Sequence, residues 1–249
     1  MHSKFDLDST KTYFVLDFDR TIGNTDKFNE LLEYVISEET NIKIEFLRHA
    51  RFKAEAEGQS FDAIAYLHQY LKEIDSSLTW IDIQQKYIST IQKEDMLEPN
   101  AGELLKILDK KQLQYGFITY GNEAWQLAKI EGANLLSVPH LVTHIQEKGI
   151  ILTGWKQDTG EFLLPPALSK TFESFVASTI VFLDDKAASF NNIPEGVIGI
   201  RVRPSEGIKL QAQMGTIPEE VVEVEGIKGA TAYLFPDEEQ VSGVSIDKT

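Results

Sequence analysis

Three short apolar runs, each followed at once by polar side chains, constrain the fold of this 249-residue chain more than any other feature. They are TYFVLDF at residues 12–18, YGFIT at 115–119 and TIVFL at 179–183. Continuous apolar runs with aromatic and β-branched residues are typical of strands that are buried on both faces of a sheet. Helical patterns alternate with the later runs, so the sequence predicts an α/β fold with a Rossmann-like parallel sheet core.

The stretch from about residue 25 to 95 carries helical patterns and no strand pattern. Its first helix is indicated by apolar residues at helical spacing, namely Phe28, Leu31, Leu32, Val35 and Ile36. Further helices are predicted over 42–57, after an N-cap at Ser60, and from Thr79, where Asp82 resembles a capping box. We therefore expect a four-helix cap (25–95) inserted after the first strand of a core formed by 1–24 and 96–235. The acidic, aperiodic residues 236–249 are expected to form a flexible tail.

The remaining elements of the core follow from the same patterns. Helices are predicted at 101–110, 122–130 and 165–176, and strands at 141–145 and 197–202. A second apolar run, IILTGW at 150–155, is expected to pair with 141–145 as a hairpin.

Composition excludes several classes of function. The chain has 24 Lys and Arg against 39 Asp and Glu, a formal net charge of −15, which disfavours nucleic acid and anionic membranes as partners. It has no cysteine, which excludes disulfides and zinc–thiolate sites. No apolar run approaches the roughly 18 residues of a membrane span, and the N-terminal residues lack a signal-peptide pattern. We expect a cytoplasmic protein, while its oligomeric state stays open.

The polar residues after the three apolar runs form a candidate site. They are Asp17 and Asp19 after the first run, Thr119, Gly121 and Asn122 after the second, and Asp184 and Asp185 after the third. Ligands of open parallel sheets bind at the carboxyl ends of the strands, so these groups are expected to converge there. Four carboxylates repel one another, which favours a hard divalent cation such as Mg²⁺.

This set of groups suits phosphoryl transfer. A carboxylate at a fixed strand end, Asp17, can attack phosphorus, and Asp19 is placed to act as general acid and base. The hydroxyl of Thr119 and loop N–H groups can hold phosphate oxygens, and a lysine must supply further positive charge.

The three motifs, in this order, resemble those of the haloacid dehalogenase (HAD) superfamily. Asp-Phe-Asp-Arg-Thr resembles its motif I, the residues from Ile118 to Asn122 resemble motif II, and the Asp184-Asp185 pair resembles the acidic motif IV. The resemblance implies that Asp17 is the nucleophile, that Asp19 is the acid/base, and that Thr119 binds phosphate. Mg²⁺ would be held by Asp17, the backbone carbonyl of Asp19, and Asp184 or Asp185. The helical insertion lies where the family's C1 cap lies, and the second acid favours a phosphatase over a dehalogenase.

Two positions depart from the family pattern. Arg20 stands where glycine is common, and it could contact the substrate or the cap. The motif III lysine has three candidates, Lys148, Lys156 and Lys170, of which Lys170 is expected to face solvent. We favour Lys156 slightly over Lys148, because it lies nearest the start of the predicted 165–176 helix among the loop lysines.

The sequence thus predicts a Mg²⁺-dependent phosphomonoesterase that acts on a small organic phosphate through an aspartyl-phosphate. One alternative is a phosphotransferase or mutase at the same site, and another is a catalytically silent protein that binds a phosphate ligand. A receiver domain of a signalling pair is disfavoured by the order of the motifs and by the insertion. No pattern in residues 25–95 identifies the substrate.

Overall fold

A parallel sheet forms the centre of the molecule. The computed structural model describes residues 7–57, 61–74, 76–170, 175–203 and 216–238. The strands are β1 (Thr12–Asp17), β2 (Gln114–Tyr120), β3 (His140–Thr143), β4 (Phe162–Leu164), β5 (Phe175–Ala177), β6 (Thr179–Asp184), β7 (Val197–Arg203) and β8 (Val222–Glu225). Six of them form the sheet in the order β3-β2-β1-β6-β7-β8, with every neighbouring pair parallel. The predicted α/β fold with a Rossmann-like parallel sheet is confirmed.

Helices cover both faces of this sheet. They are α1 (Thr25–Thr40), α2 (Ile44–Ala56), α3 (Ala63–Glu73), α4 (Trp80–Ile91), α5 (Ala101–Lys110), α6 (Glu123–Gly132), α7 (Lys148–Trp155) and α8 (Gly226–Leu234). None of the helices in the described ranges has the length and apolar character needed to cross a membrane.

The central strand β1 is buried along its whole length. Its side chains alternate between two apolar clusters because successive residues of a strand point to opposite faces. Phe14 and Leu16 belong to the larger cluster, and Tyr13 and Val15 to the smaller one. The continuous apolar character of the run therefore reflects a strand that is covered on both sides.

The four helices between β1 and α5 pack onto the same side as the larger cluster. The ring of Tyr87 on α4 lies 5.1 Å from that of Trp125 on α6, and Phe28 on α1 lies 5.8 Å from Phe18 after β1 (centroid distances). Asp82 accepts a hydrogen bond from the Thr79 N–H at 2.8 Å, as the capping-box pattern predicts. The four helices are thus present, whereas their division from the core as a separate cap domain stays a prediction.

The start of α3 differs from the predicted one. Its N-cap is Asp62, whose carboxylate accepts the N–H groups of Ile64 and Ala65 at 3.1 and 3.0 Å. Ser60, the predicted N-cap, lies outside the described residues.

The region around β3 corrects two predictions. The run at 150–155 belongs to helix α7 and forms no hairpin, and β3 pairs in parallel with β2. The predicted helix at 165–176 is replaced by a short 3₁₀ turn (Pro166–Leu168) and strand β5, which pairs antiparallel with β4. Short apolar runs do not distinguish strand from helix, and here tertiary packing decided. Residues 171–174 and most of the predicted tail, 239–249, lie outside the described residues.

Candidate active site

The carboxyl end of β1 brings three aspartates together. Asp17 is its last residue, and the parallel register places Ile118 of β2 on one side and Leu183 of β6 near the other. Because β1 has the later strand β6 on one side and β2 on the other, this end of the sheet is a topological switch point. Asp17, Asp184 and Asp185 each offer one carboxylate oxygen within 4.8 Å of the others, and all three side chains are buried.

Lys148 enters this aspartate cluster from the start of α7. Its Nζ donates hydrogen bonds to Asp17 Oδ1 and, at 2.6 Å, to Asp184 Oδ2. The next residue, Gly149, lies against the backbone, because a Cβ there would come within 2.0 Å of the Asn191 carbonyl oxygen. The Lys-Gly pair therefore lets the first turn of α7 approach the segment after β6, which carries the ammonium group to the strand ends.

The electrostatics of the cluster are dominated by an excess of carboxylates. Burial raises the pKa of Asp17 well above its ordinary value, and the Asp184 and Asp185 charges raise it further, against the effect of Lys148. Burial alone would lower the pKa of Lys148, but Asp17 and Asp184 hold it above the usual lysine value. Asp17, Asp184 and Asp185 together form a donor set made only of carboxylate oxygens. Such a set fits a hard divalent cation such as Mg²⁺.

Asp19 lies in a separate network next to the aspartate cluster. Its Oδ1 accepts the Thr25 hydroxyl at 2.8 Å and the Lys129 ammonium, and its Oδ2 accepts the Gln126 amide at 2.9 Å. Burial would raise the pKa of this carboxyl, but Lys129 and the three hydrogen bonds hold it well below its usual range. Asp19 is therefore ionised and held by three donors.

Lys129 and Gln126 are functional candidates that the sequence predictions did not include. Both lie on α6 and are buried, with Lys129 1% exposed. The Lys129 Nζ lies 5.2 Å from the Trp125 ring centroid and 5.9 Å from that of Phe18. One signal was available: Lys129 follows Trp125 by four residues, which places a charge on the apolar face of the helix.

The predicted phosphate-binding residues of the second motif contact this network to different extents. Thr119 is buried, and its hydroxyl donates to Gln126 Oε1 at 3.0 Å. Gly121 has a φ of 140° and lies beside the Gln126 side chain, where a Cβ would come 2.9 Å from Nε2. Asn122 instead caps α6 by accepting the Trp125 N–H at 3.3 Å, and it donates to Asp62 on the helical insertion. Phosphate binding by these groups stays a prediction.

The structure reverses the order of preference between the two loop lysines. Lys156 follows the end of α7, eight residues and about 12 Å along the helix from Lys148, and its Nζ donates to the Glu195 carbonyl at 2.7 Å. Lys170 is exposed, and its Nζ lies 3.9 Å from a carboxylate oxygen of Asp109. Lys148 is thus the candidate lysine that reaches the aspartates. The preference for Lys156 relied on its nearness to the predicted 165–176 helix, and the structure has a 3₁₀ turn and strand β5 in that region.

Arg20 adopts the left-handed backbone conformation that its position requires, with a φ of 60°. Glycine reaches this conformation most easily, which explains why glycine is common there. The Arg20 guanidinium contacts the Asp26 carboxylate of α1 at 2.8 Å. Burial raises the pKa of the nearby Glu98 to about 7, and Asp26 and Asp185 add to this effect, while Arg20 opposes it.

Comparisons with known proteins identify the fold of the chain. No protein-family model matches the sequence, and no curated protein matches it. Among solved structures, a haloacid dehalogenase-like hydrolase of Burkholderia xenovorans is 18% identical with a TM-score of 0.59, covering 93% of this chain and 98% of its own. The defluorinating L-2-haloacid dehalogenase Rha0230 is 13% identical with a TM-score of 0.53, over 92% and 98% of the two chains. A HAD phosphatase of Thermococcus onnurineus is 16% identical with a TM-score of 0.52, over 93% and 98%. The chain has the fold of HAD-like hydrolases.

Proposed function

We propose that this protein is a Mg²⁺-dependent phosphomonoesterase of the HAD type that acts on a small organic phosphate. The observation that carries the proposal is the cluster of Asp17, Asp184, Asp185 and Lys148, with a second acid, Asp19, beside it. Hydrolases of similar fold include a phosphatase and a dehalogenase. The second acid favours the phosphatase, because an alkoxide leaving group needs a proton and a halide does not.

The first step is transfer of the phosphoryl group to Asp17. A carboxylate oxygen of Asp17 attacks phosphorus, and the bond to the ester oxygen breaks. Asp19 is ionised in the free protein, but the anionic substrate beside it favours its protonated form, and Asp19 gives that proton to the leaving oxygen. Lys148 neutralises the phosphoryl oxygens, and the Thr119 hydroxyl turns from Gln126 to donate to one of them.

The second step releases phosphate. A water molecule gives a proton to Asp19 and attacks phosphorus, and the bond from phosphorus to the Asp17 oxygen breaks. Inorganic phosphate leaves, Asp17 is restored as a carboxylate, and Asp19 releases the proton to solvent, which restores its ionised state.

The residues that would hold Mg²⁺ are Asp17, Asp184, Asp185 and the backbone carbonyl of Asp19. When bound, the ion stabilises the negative charge of the transferred phosphoryl group.

The helical insertion acts in this proposal as a cap over the site. Residues 25–95 form the cap, and 1–24 together with 96–235 form the core. The contact between Asp62 on α3 and Asn122 after β2 supports this arrangement, since it joins the insertion to the strand end that carries Thr119. A cap in this place excludes water and selects the substrate.

A panel of small phosphate esters with purified protein tests the proposal. We expect phosphate release that requires Mg²⁺ and stops with EDTA, and Asp17→Asn should lower it by a factor on the order of 10³. An Asp17→Asn variant with a native circular dichroism spectrum and wild-type turnover would falsify the aspartyl-phosphate. Halide release from a 2-haloacid would favour a dehalogenase, and phosphate transfer to added alcohol would favour a phosphotransferase.

A further inference from the structure

Lys129, the buried partner of Asp19, has no role in the chemistry described so far. The two side chains differ in exposure, with Lys129 at 1% and Asp19 at 20%. The lysine therefore lies behind the carboxylate, between Asp19 and the rings of Trp125 on α6 and Phe18 after β1. In this arrangement the carboxylate, and not the ammonium, is open to a substrate.

A structural ion pair alone does not explain this placement well. Removing two charges from water carries a large desolvation cost, and apolar residues of similar volume often stabilise such a position equally. The neighbours of Lys129 are the rings of Trp125 and Phe18, which would accommodate an apolar side chain. A charge at this point is therefore better explained by what it does to Asp19.

The geometry connects Lys129 to both ends of the candidate reaction site. Gln126 and Lys129 are three residues apart on α6, so both reach the same side of the helix. Gln126 accepts the Thr119 hydroxyl through Oε1 and donates to Asp19 through Nε2, while Lys129 holds the other oxygen of Asp19. Since α6 begins just after β2, the helix holds the phosphate-binding hydroxyl and the acid/base carboxylate in one network.

We propose that Lys129 is a positioning residue for the proton-transfer steps and that it fixes the Asp19 carboxylate toward the ester oxygen. This inference rests on the proposed phosphatase function. Without the ammonium, Asp19 keeps the Thr25 and Gln126 hydrogen bonds but loses its charged partner, and the carboxylate rotates away from the leaving oxygen.

The test compares two esters that differ in their need for a proton. The leaving group of glycerol 2-phosphate is an alkoxide, which requires protonation. The leaving group of p-nitrophenyl phosphate is a stabilised phenolate, which does not. We expect Lys129→Met to lower kcat on glycerol 2-phosphate on the order of 100-fold more than on p-nitrophenyl phosphate, which lies within the usual range for general acid catalysis. Asp19→Asn should show the same selectivity, and the double variant should show no greater selectivity than Asp19→Asn alone.

Controls separate this effect from a loss of folding. Lys106→Met removes an exposed lysine from α5 and should leave the ratio of the two rates unchanged. If Lys129→Met does not fold, Lys129→Gln, which keeps a polar side chain of similar length, is measured in the same way. Lys129→Arg should recover part of the activity on glycerol 2-phosphate.

The outcomes distinguish this inference from the proposed function. If wild-type protein hydrolyses both esters and the folded Lys129 variants lose both activities equally, the inference is wrong and the phosphatase function stands. The inference is also wrong if the double variant changes the ratio of the two rates by the product of the changes in the single variants. Lys129 would then act independently of Asp19. A wild-type protein that hydrolyses neither ester overturns the phosphatase function and this inference together.

Discussion

Two buried charge clusters in the described part of the molecule differ in the sign of the group at their centre. At the end of β1, three carboxylates face one ammonium, that of Lys148. Between α1 and α2, one carboxylate faces two guanidinium groups, with Glu33 Oε1 2.8 Å from Arg51 Nε and Oε2 2.9 Å from Arg48 Nε. In the second cluster each carboxylate oxygen already has its own donor.

The two clusters also differ in their access to water, and this difference indicates which of them is structural and which can bind a ligand. Arg48 is half exposed, so water solvates its guanidinium group. Asp17, Asp184 and Asp185 are buried, so water solvates their carboxylates far less. The first cluster is therefore suited to bind a cation and a phosphate, and the second to hold α1 against α2.

The largest expected effect comes from removing the ammonium at the sheet edge. Lys148→Met should lower kcat/KM for a phosphate ester on the order of 10³-fold, about 4 kcal/mol, because the charge that neutralises the phosphoryl oxygens is lost. Lys156→Met is the matched control, since Lys156 follows the other end of the same helix. Steady-state kinetics on both variants decide the question, and an equal loss in the two would contradict the assignment of Lys148.

Removing the carboxylate of the helical cluster should change stability and not the site. Glu33→Gln is expected to lower the free energy of unfolding by about 3 kcal/mol, because it removes the charge opposite the buried Arg51. Urea denaturation measures this effect. Thr79→Ser, which keeps the capping hydroxyl in the same insertion, should change stability far less, and a similar loss in both would argue against a special role for Glu33.

Metal binding should distinguish the two clusters directly. Mg²⁺ at about 100 times its Kd should raise the stability of the wild-type protein by about 2.7 kcal/mol through binding to the folded state. Thermal unfolding with and without Mg²⁺ should show this increase in Glu33→Gln but a much smaller one in Asp185→Asn. An undiminished increase in Asp185→Asn would remove this residue from the metal site.

The smallest expected effect concerns Glu98, which lies within electrostatic reach of the carboxylate-rich edge. Its pKa is raised from 4.5 to about 7, so the folded state favours its protonated form. This contribution to stability is complete below the unfolded pKa and is lost as the pH rises through about 7. Since Glu98 is partly exposed, the loss should be about 1 kcal/mol.

Glu98→Gln should remove that part of the pH dependence. Unfolding curves recorded at several pH values compare it with the wild-type protein, and Glu103→Gln, an exposed glutamate on α5, serves as the control. A wild-type pH profile that persists in Glu98→Gln would assign the effect to another group.

The sequence by itself determined those features that depend on local pattern. Apolar runs such as 12–17 and 179–184 became central strands, which are covered on both faces and bury nearly all of their residues. Helical spacing located the four helices of the insertion, and the strand-end rule brought Asp17, Asp184 and Asp185 together. These inferences needed no knowledge of distant contacts.

Tertiary structure decided the positions of the cations. Lys148 reaches Asp17 because 148–155 folds as a helix whose first turn packs on the segment after β6, a contact between residues far apart in sequence. Lys129 faces Asp19 across 110 positions of the chain. A lysine has a long, flexible side chain and no local pattern that marks burial, so its partner follows only from how helices pack on the sheet.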